Sequence, residues 1–168
     1  EPIYITQFIN LNQGWNLISS YILPLNTDVV EIFEPIVNSI KLVRSRYNKI
    51  YYPSVNFNNI PGWNITDGYV VYATAPAVLQ IDGTEIYPEN IPINLNQGWN
   101  LISYLRATPM LVSLAFNSLG NSLLLVKNNE GKIFNPFYNL NQIEFLLPGE
   151  AYWLYMSAPD ILIYPEND

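Results

Sequence analysis

The chain has 168 residues, 49% of them hydrophobic, so it can bury a core as one ordinary domain or two small ones. Only 12% of the residues are charged, and the formal net charge is −7 with a pI near 4.4. Since the chain has only seven Lys and Arg residues to contact phosphates, this balance argues against nucleic-acid binding and against docking on anionic membranes.

Two residue types are missing, and their absence excludes several kinds of chemistry. The chain has no Cys and no His, which removes disulfides, thiol nucleophiles, the usual zinc ligands and the commonest general base. We therefore expect no metal, no cofactor and no catalytic residue. The longest apolar runs, such as residues 123–126, are too short to cross a bilayer. No signal peptide is visible, and because the chain begins at Glu1 we expect a processed or excised piece.

An internal duplication organises the sequence. The string INLNQGWNLIS occurs at residues 9–19 and again at 93–103. Shorter matches follow in the same order at an offset of 83 residues, and Tyr-Pro-Glu-Asn closes both copies. About six extra residues near Asp82 lengthen the first copy. We predict two tandem modules, repeat one (residues 1–88) and repeat two (residues 89–168).

The opening segment of each repeat predicts a strand. Apolar and polar residues alternate from Ile9 onwards, which is the pattern of a strand with one buried face. This phase places Trp15 on the inward face with Leu11 and Leu17, and it places Trp99 inward with its matching leucines.

A short helix follows in each repeat. In repeat one, Asp28 and Glu31 have the spacing of a capping box, and Pro35 shortens or bends the helix. In repeat two, Thr108 and Pro109 predict the cap and first turn, and Gly120 predicts the end of the helix.

Four further strands complete each repeat. We expect the following hairpins: residues 41–47 with 49–53, 68–74 with 78–81, 123–126 with 132–134, and 151–156 with 161–164. The predicted fold class is therefore α+β and β-rich. Each of the two modules is expected to be a small curled antiparallel sheet, or half-barrel, with one short helix.

These motifs resemble a known repeat. Gly-Trp-Asn-Leu-Ile-Ser, at residues 14–19 and 98–103, is similar to the opening of a repeat in secreted and surface-anchored bacterial proteins and in predicted virion proteins of phages and large viruses. The family's hairpin and its closing Pro-Gly-x-x-Tyr-Trp segment match residues 125–131 and 148–153. Nearly the whole chain is covered, although repeat one departs from the closing motif at residues 67–70. The resemblance implies a non-enzymatic accessory module of extracellular or virion-surface proteins.

The motif residues have a structural interpretation and a binding one. Trp15 and Trp99 are either core aromatics or stacking platforms for a sugar, and strand spacing favours the core. Asn16 and Asn100 either bind a ligand or hydrogen-bond locally, and the local role is favoured. We therefore assign a structural role to the six residues of the motif: Gly14, Trp15, Asn16, Gly98, Trp99 and Asn100.

A tyrosine-rich hairpin is the candidate ligand site. Tyr47, Tyr51 and Tyr52 lie close together in sequence, and Trp63 is expected nearby. Exposed Tyr beside Asn and Ser is typical of both carbohydrate grooves and protein interfaces. Repeat two keeps only Phe134 of this group, so any such site belongs to repeat one.

The carboxylates carry no recognisable catalytic pattern. Asp67 matches Glu150 between the repeats, but no pair stands in the setting of a glycoside hydrolase. The segment 82–85 is too short for a calcium loop. Asn64-Ile65-Thr66 fits a glycosylation acceptor, which is a weak motif.

The leading functional hypothesis is a non-catalytic structural or assembly module of a virion surface, cell-surface appendage or secreted multidomain protein. It acts through contacts with other subunits or with copies of itself. The alternative is a carbohydrate-binding module that uses surface Tyr and Trp. A third hypothesis, a carboxylate-dependent hydrolase, requires a catalytic carboxylate that the sequence does not identify.

Overall fold

The computed structural model describes all 168 residues and shows a β-rich chain with several small antiparallel sheets and few helices. The β-rich character predicted from the sequence is therefore confirmed.

Residues 1–88 form two sheets. Their strands are β1 (Tyr4–Leu11), β2 (Gly14–Ile18), β3 (Ile22–Pro24), β4 (Ile40–Ser45), β5 (Ile50–Tyr52), β6 (Phe57–Asn58), β7 (Tyr69–Ala73) and β8 (Ala77–Glu85). The three-stranded sheet has the order β1-β8-β3, and the five-stranded sheet has the order β2-β7-β4-β5-β6. The extra residues near Asp82 belong to β8, which pairs with β1 along its whole length.

Residues 89–168 form three sheets. Their strands are β9 (Ile93–Leu95), β10 (Gly98–Ser103), β11 (Met110–Leu111), β12 (Leu123–Lys127), β13 (Ile133–Asn135), β14 (Leu140–Asn141), β15 (Phe145–Leu146), β16 (Ala151–Met156) and β17 (Asp160–Leu162). The five-stranded sheet has the order β10-β16-β12-β13-β14, and two strand pairs, β11-β15 and β17-β9, accompany it. The predicted hairpins of residues 68–74 with 78–81 and of 151–156 with 161–164 are wrong, because β7 and β8 lie in different sheets, as do β16 and β17.

The two five-stranded sheets have the same strand order and nearly the same register. Gly14 pairs with Ala73 in the first sheet, as Gly98 pairs with Met156 in the second. The β4–β7 and β12–β16 pairings each contain one register shift, at Ile40/Leu42 and at Leu123/Leu125. The matching sequences thus produce matching sheets.

The helices are short. Helix α1 (Val29–Phe33) is capped by Asp28, whose side chain accepts a hydrogen bond from Val30 N, as predicted for an N-cap. The predicted capping box does not close, because Asp28 N donates to Asn26 Oδ1 and not to Glu31. A 3-10 helix, Glu34–Ser39, follows with Pro35 in its first turn. Further 3-10 helices span Pro53–Val55, Pro88–Asn90 and Asn117–Ser122.

The predicted start and end of the second helix are wrong. Helix α2 (Val112–Ala115) follows Leu111 and has no side-chain cap, because Met110 and Leu111 pair with β15 and delay the helix. The hydroxyl of Thr108 instead donates to Asp168. Gly120 lies inside the 3-10 helix at a kink and not just after α2.

The buried side chains form two large clusters and a small third one. The first cluster lies between Ile9 and Ile81, and the second between Ile86 and Tyr164. The third contains Leu17, Val70, Leu101 and Ala151, with Trp153 packed against it. These residues lie on the face of each five-stranded sheet that points away from its own large cluster, which we call the outer face.

The sheets meet through matched contacts at this third cluster. Ile18 bridges to Glu150, and the equivalent residue Ile102 bridges to Asp67. Likewise, Ser19 N donates to Gly149 O at 3.0 Å, and Ser103 N donates to Thr66 O at 3.2 Å. Each repeat gives and receives the same contact, so the junction has approximate two-fold symmetry.

The inward orientation predicted for Trp15 and Trp99 is wrong. Their side chains lie on the outer faces, where they are 52% and 51% exposed. β1 and β2 belong to different sheets, and the chain turns between them at Gly14 with φ +98°. The alternation therefore restarts at the turn, and Leu11 and Trp15 no longer share a face.

Candidate functional site

A cleft of about 430 Å³ opens on the outer face of repeat two, beside the junction. It is lined by Trp99, Lys127 and Trp153 from repeat two and by Arg46 and Asn48 from repeat one. The cleft therefore exists only when both repeats are in place.

Strand register explains which side chains meet in the cleft. Trp99 on β10 pairs with Tyr155 on β16, and Leu101 pairs with Trp153. On the other edge of β16, β12 places Lys127 opposite Trp153. Because residues two apart on a strand share a face, both indoles and the ammonium group project from the same surface.

The aromatic rings form a corner. The centroids of Trp99 and Trp153 are 6.3 Å apart with the ring planes at 87°, and Trp99 contacts Tyr155 at 4.9 Å. The edge-to-face contact between the two indoles holds the rings in place and leaves part of their faces free. Trp153 is half-buried against the junction, and Trp99 is more open to solvent.

Arg46 forms a fixed wall of the cleft. It lies in the turn after β4 and reaches across to repeat two, where its Nη2 donates to Asn94 O and to Asn100 Oδ1, both at 2.7 Å. Its Nη1 contacts Asp67 Oδ1 at 3.4 Å, and its guanidinium lies over the Tyr47 ring. With its side chain buried and these donors in use, Arg46 supports the site more than it offers a free charge.

Asp67 is buried beside Arg46. Burial raises the pKa of the Asp67 carboxyl, and the nearby guanidinium only partly opposes this because the contact is long. The equivalent residue, Glu150, accepts a hydrogen bond from Tyr152 OH at 2.9 Å, and burial also raises the pKa of Glu150. Both carboxyl groups belong to the junction.

The two asparagines of the repeated motif hold local turns. Asn16 Oδ1 accepts from Asn12 N at 2.9 Å, and Asn16 Nδ2 donates to Asn12 O at 2.9 Å. Asn100 makes the same two bonds to Asn96 at 2.8 Å. In repeat two, Asn100 Oδ1 also accepts from Arg46, so this turn is tied to the wall of the cleft.

The matching surface of repeat one has a different composition. Trp15 packs edge-on against Tyr72 at 4.9 Å, and Trp99 packs on Tyr155 at the same distance but with its ring tilted by 43°. However, Val70 stands where repeat two has Trp153. Asn129 of repeat two, which matches Arg46 in sequence, contacts repeat one by donating to Trp15 O. Repeat one therefore has one outer indole and no aromatic corner.

The structure does not bring the tyrosine-rich group together as an exposed surface. Tyr47 is exposed and Tyr52 is half-buried, but Tyr51 and Trp63 are each only 4% exposed. Trp63 stacks on Tyr69 at 4.2 Å and donates from Nε1 to Ser20 Oγ at 2.9 Å. Its partners explain why this indole is a core residue with a satisfied N–H and not a platform.

Sequence reasoning missed Trp153, Lys127 and Arg46. One signal was available in the comparison of the repeats. Trp63 matches the apolar Leu146 in repeat two, which indicates a core position for Trp63. Trp153 matches Val70, and both lie within a strand in which successive side chains point to opposite faces. The approach of Arg46 to repeat two had no sequence signal, because it depends on how the repeats meet.

Other polar groups do not assemble into a reaction centre. No three Asp or Glu side chains lie close enough together to hold a metal ion. Asp82 accepts hydrogen bonds from Thr6 and Gln80 on the exposed face of β8. The acceptor Asn64 is exposed, and its side chain accepts from Thr66 N at 3.0 Å.

Comparison with known proteins adds no family. No protein-family model, curated protein or solved structure matches the chain. The resemblance of its Gly-Trp-Asn motif to secreted and virion proteins stays a prediction. None of the helices has the length and apolar character needed to cross a membrane.

Proposed function

We propose that the chain is a non-catalytic recognition module that binds a carbohydrate in the cleft between Trp99 and Trp153. The observation that carries the proposal is the aromatic corner itself, two solvent-accessible indoles fixed at 87° on a rigid sheet. Binding sites commonly combine such apolar walls with a few directed polar groups.

The chemistry of the walls suits a sugar ring. An indole face packs against the C–H face of a pyranose, and burying that apolar area favours the complex. Asn48 offers an amide, and Lys127 offers three N–H donors without an ion-pair partner of its own. These donors lie at the edge of the aromatic surface, where hydroxyl groups of a stacked sugar would project.

The exposure of the motif tryptophans favours sugar stacking more than the sequence pattern did. That pattern placed Trp15 and Trp99 facing the core, and both are half-exposed. The binding residues also differ from those first expected, since Tyr51 and Trp63 are buried.

A glycan array followed by an affinity gel tests the proposal. We expect the wild-type chain to bind a subset of glycans, and Trp99→Ala and Trp153→Val to lose that binding. Repeat one has Val70 at the position that matches Trp153, so Trp153→Val is compatible with the sheet. Trp15→Ala is the matched control, because it removes an equally exposed indole from the surface without the corner. The proposal fails if no glycan binds, or if all three variants bind like the wild type.

Assembly through protein contacts is the second candidate function. Tyr4, Phe8 and Val78 are exposed on one face of the three-stranded sheet, where Asn10 pairs with Val78 and Phe8 with Gln80. Apolar residues grouped in this way favour a protein partner or a second copy. Sedimentation of the wild type and of Phe8→Ser distinguishes the candidates: concentration-dependent association that Phe8→Ser abolishes supports assembly.

The two-module organisation and the location are part of the proposal. We infer that residues 1–88 and 89–168 are the modules, which the equal strand order of their five-stranded sheets supports. We place the protein outside the cell, on a cell surface or on a virion. The Gly-Trp-Asn motif and the charge-poor composition support this location, and immunolabelling of intact cells and particles tests it.

A further inference from the structure

Repeat two carries a second depression, which shares no lining residue with the cleft. It has a volume of about 370 Å³ and lies between helix α2, the 3-10 helix that follows it, and the β13–β14 hairpin. Four polar side chains line it: Ser113, Asn117, Asn121 and Asn139. Phe116, Phe134 and Leu123 supply its apolar part.

The polar side chains of this pocket are exposed and make no hydrogen bond within the chain. Other asparagines nearby do make such bonds. Asn128, Asn135 and Asn141 each accept a backbone N–H through Oδ1. The side-chain amide of Asn has both a hydrogen-bond donor and an acceptor. Two neighbouring hydroxyl groups of a ligand can therefore bind it, one by accepting from the NH2 and one by donating to the oxygen.

The equivalent place in repeat one is filled and charged. Val30 and Glu34 stand where repeat two has Ser113 and Asn117, and Val37 stands where it has Gly120. Tyr51 replaces Phe134 and is buried. The backbones agree at one end of the pocket, where Asn56 and Asn139 both have φ 52°, but differ at Gly120, which has φ 53° while its counterpart Val37 does not lie in the left-handed region. The pocket therefore arises from side-chain differences and from a different backbone at Gly120.

The absence of charge from the lining restricts the ligand. A charged group placed here would find no opposite charge in the lining. A neutral ring with several hydroxyl groups would meet amides at its edges and phenyl groups on its C–H face.

We propose that this amide-lined pocket is a second binding site, specific for a neutral sugar residue and independent of the aromatic cleft. Its contacts come from repeat two alone, and repeat one has lost or never acquired the site.

Nuclear magnetic resonance titration tests the pocket directly. The probes are neutral methyl glycosides of glucose, galactose and mannose, with N-methylacetamide as an amide control. We expect at least one glycoside to shift the side-chain NH2 signals of Asn117, Asn121 and Asn139, and not those of Asn38 and Asn56, the matching residues of repeat one. The indole N–H signals of Trp99 and Trp153 report separately on the cleft, so the two sites succeed or fail independently.

Variants complete the test. Asn121→Ala is expected to weaken the binding about tenfold, the effect of losing one well-placed hydrogen bond, while Asn38→Ala leaves it unchanged. The double variant Ser113→Val with Asn117→Glu copies repeat one, whose fold accommodates these residues, and should abolish the shifts. The proposal is overturned if no glycoside shifts the three amides, or if N-methylacetamide shifts them as strongly.

Discussion

The outer faces of the two five-stranded sheets share a backbone and differ in chemistry. Both present a Trp packed against a Tyr with ring centroids 4.9 Å apart, edge-on at 78° in repeat one and tilted at 43° in repeat two. Only repeat two adds Trp153, and only its face receives Arg46 from the other repeat. Inward positions must fill a dense core, so they resist change. Outward positions are freer, and the differences between duplicated faces therefore point to where function lies.

The junction shows the same division between shared and divergent contacts. Its backbone bridges are matched, Ile18 to Glu150 and Ile102 to Asp67. Its side-chain ties are not, since Arg46 binds Asn100 and Asp67 on one side and Asn129 donates to Trp15 O at 3.1 Å on the other. One side is thus held by a buried charge and the other by an exposed amide.

Removing each of these ties should have very different effects. We expect Arg46→Ala to lower the free energy of unfolding by about 3 kcal/mol, because it leaves Asp67 buried without its partner. Asn129→Ala should cost only about 0.5 kcal/mol, since the amide is exposed and water replaces its bond. Urea denaturation measures both, and equal losses would contradict the asymmetry of the junction.

Close packing at the junction gives the next largest effect. A Cβ on Gly68 would lie 2.6 Å from Ala151 Cβ and 2.8 Å from Leu101 Cγ. Gly68→Ala should therefore destabilise the chain by about 2 kcal/mol. Gly62→Ala is the control, because its nearest neighbour lies at 3.4 Å, an ordinary contact. A thermal melt that leaves Gly68→Ala as stable as Gly62→Ala would show that the repeats do not pack this closely.

A variant of Trp63 distinguishes this core indole from Trp99 and Trp153, the indoles that we propose bind sugar. Trp63→Leu copies Leu146 of repeat two and removes the stacking on Tyr69 and the bond to Ser20. We expect a loss of about 1.5 kcal/mol in the free energy of unfolding with glycan binding unchanged. Loss of glycan binding in a Trp63→Leu variant that still folds would indicate that the binding site lies at the tyrosine-rich hairpin and not at the cleft.

The smallest effect concerns pH. Because burial raises the pKa of Asp67 in the folded state, its contribution to stability is full below the unfolded value of 3.8 and is lost as pH rises through the folded pKa. Asp67→Asn removes this contribution. The stability of the wild type relative to the variant should therefore fall as pH rises above 3.8, as followed by urea denaturation at a series of pH values. A difference that grows in favour of the wild type would mean that the Arg46 contact outweighs burial.

The sequence predicts local features better than the meeting of distant segments. The duplication, the β-rich class and the Asp28 cap all depend on neighbouring residues. The outward orientation of Trp15 depends on a turn at Gly14 that sends β1 and β2 to different sheets. The cleft depends on contacts such as Arg46 with Asn100, which are far apart in sequence and have no periodic signal.

Calorimetric titration with the strongest glycan of the array tests most directly whether the aromatic corner of repeat two binds sugar. We expect measurable heat of binding for the wild type and for Trp15→Ala, and at least about a tenfold loss of affinity for Trp153→Val. Equal affinity in the wild type and in Trp153→Val would show that the corner is not the sugar site, because that variant gives repeat two the outer face of repeat one.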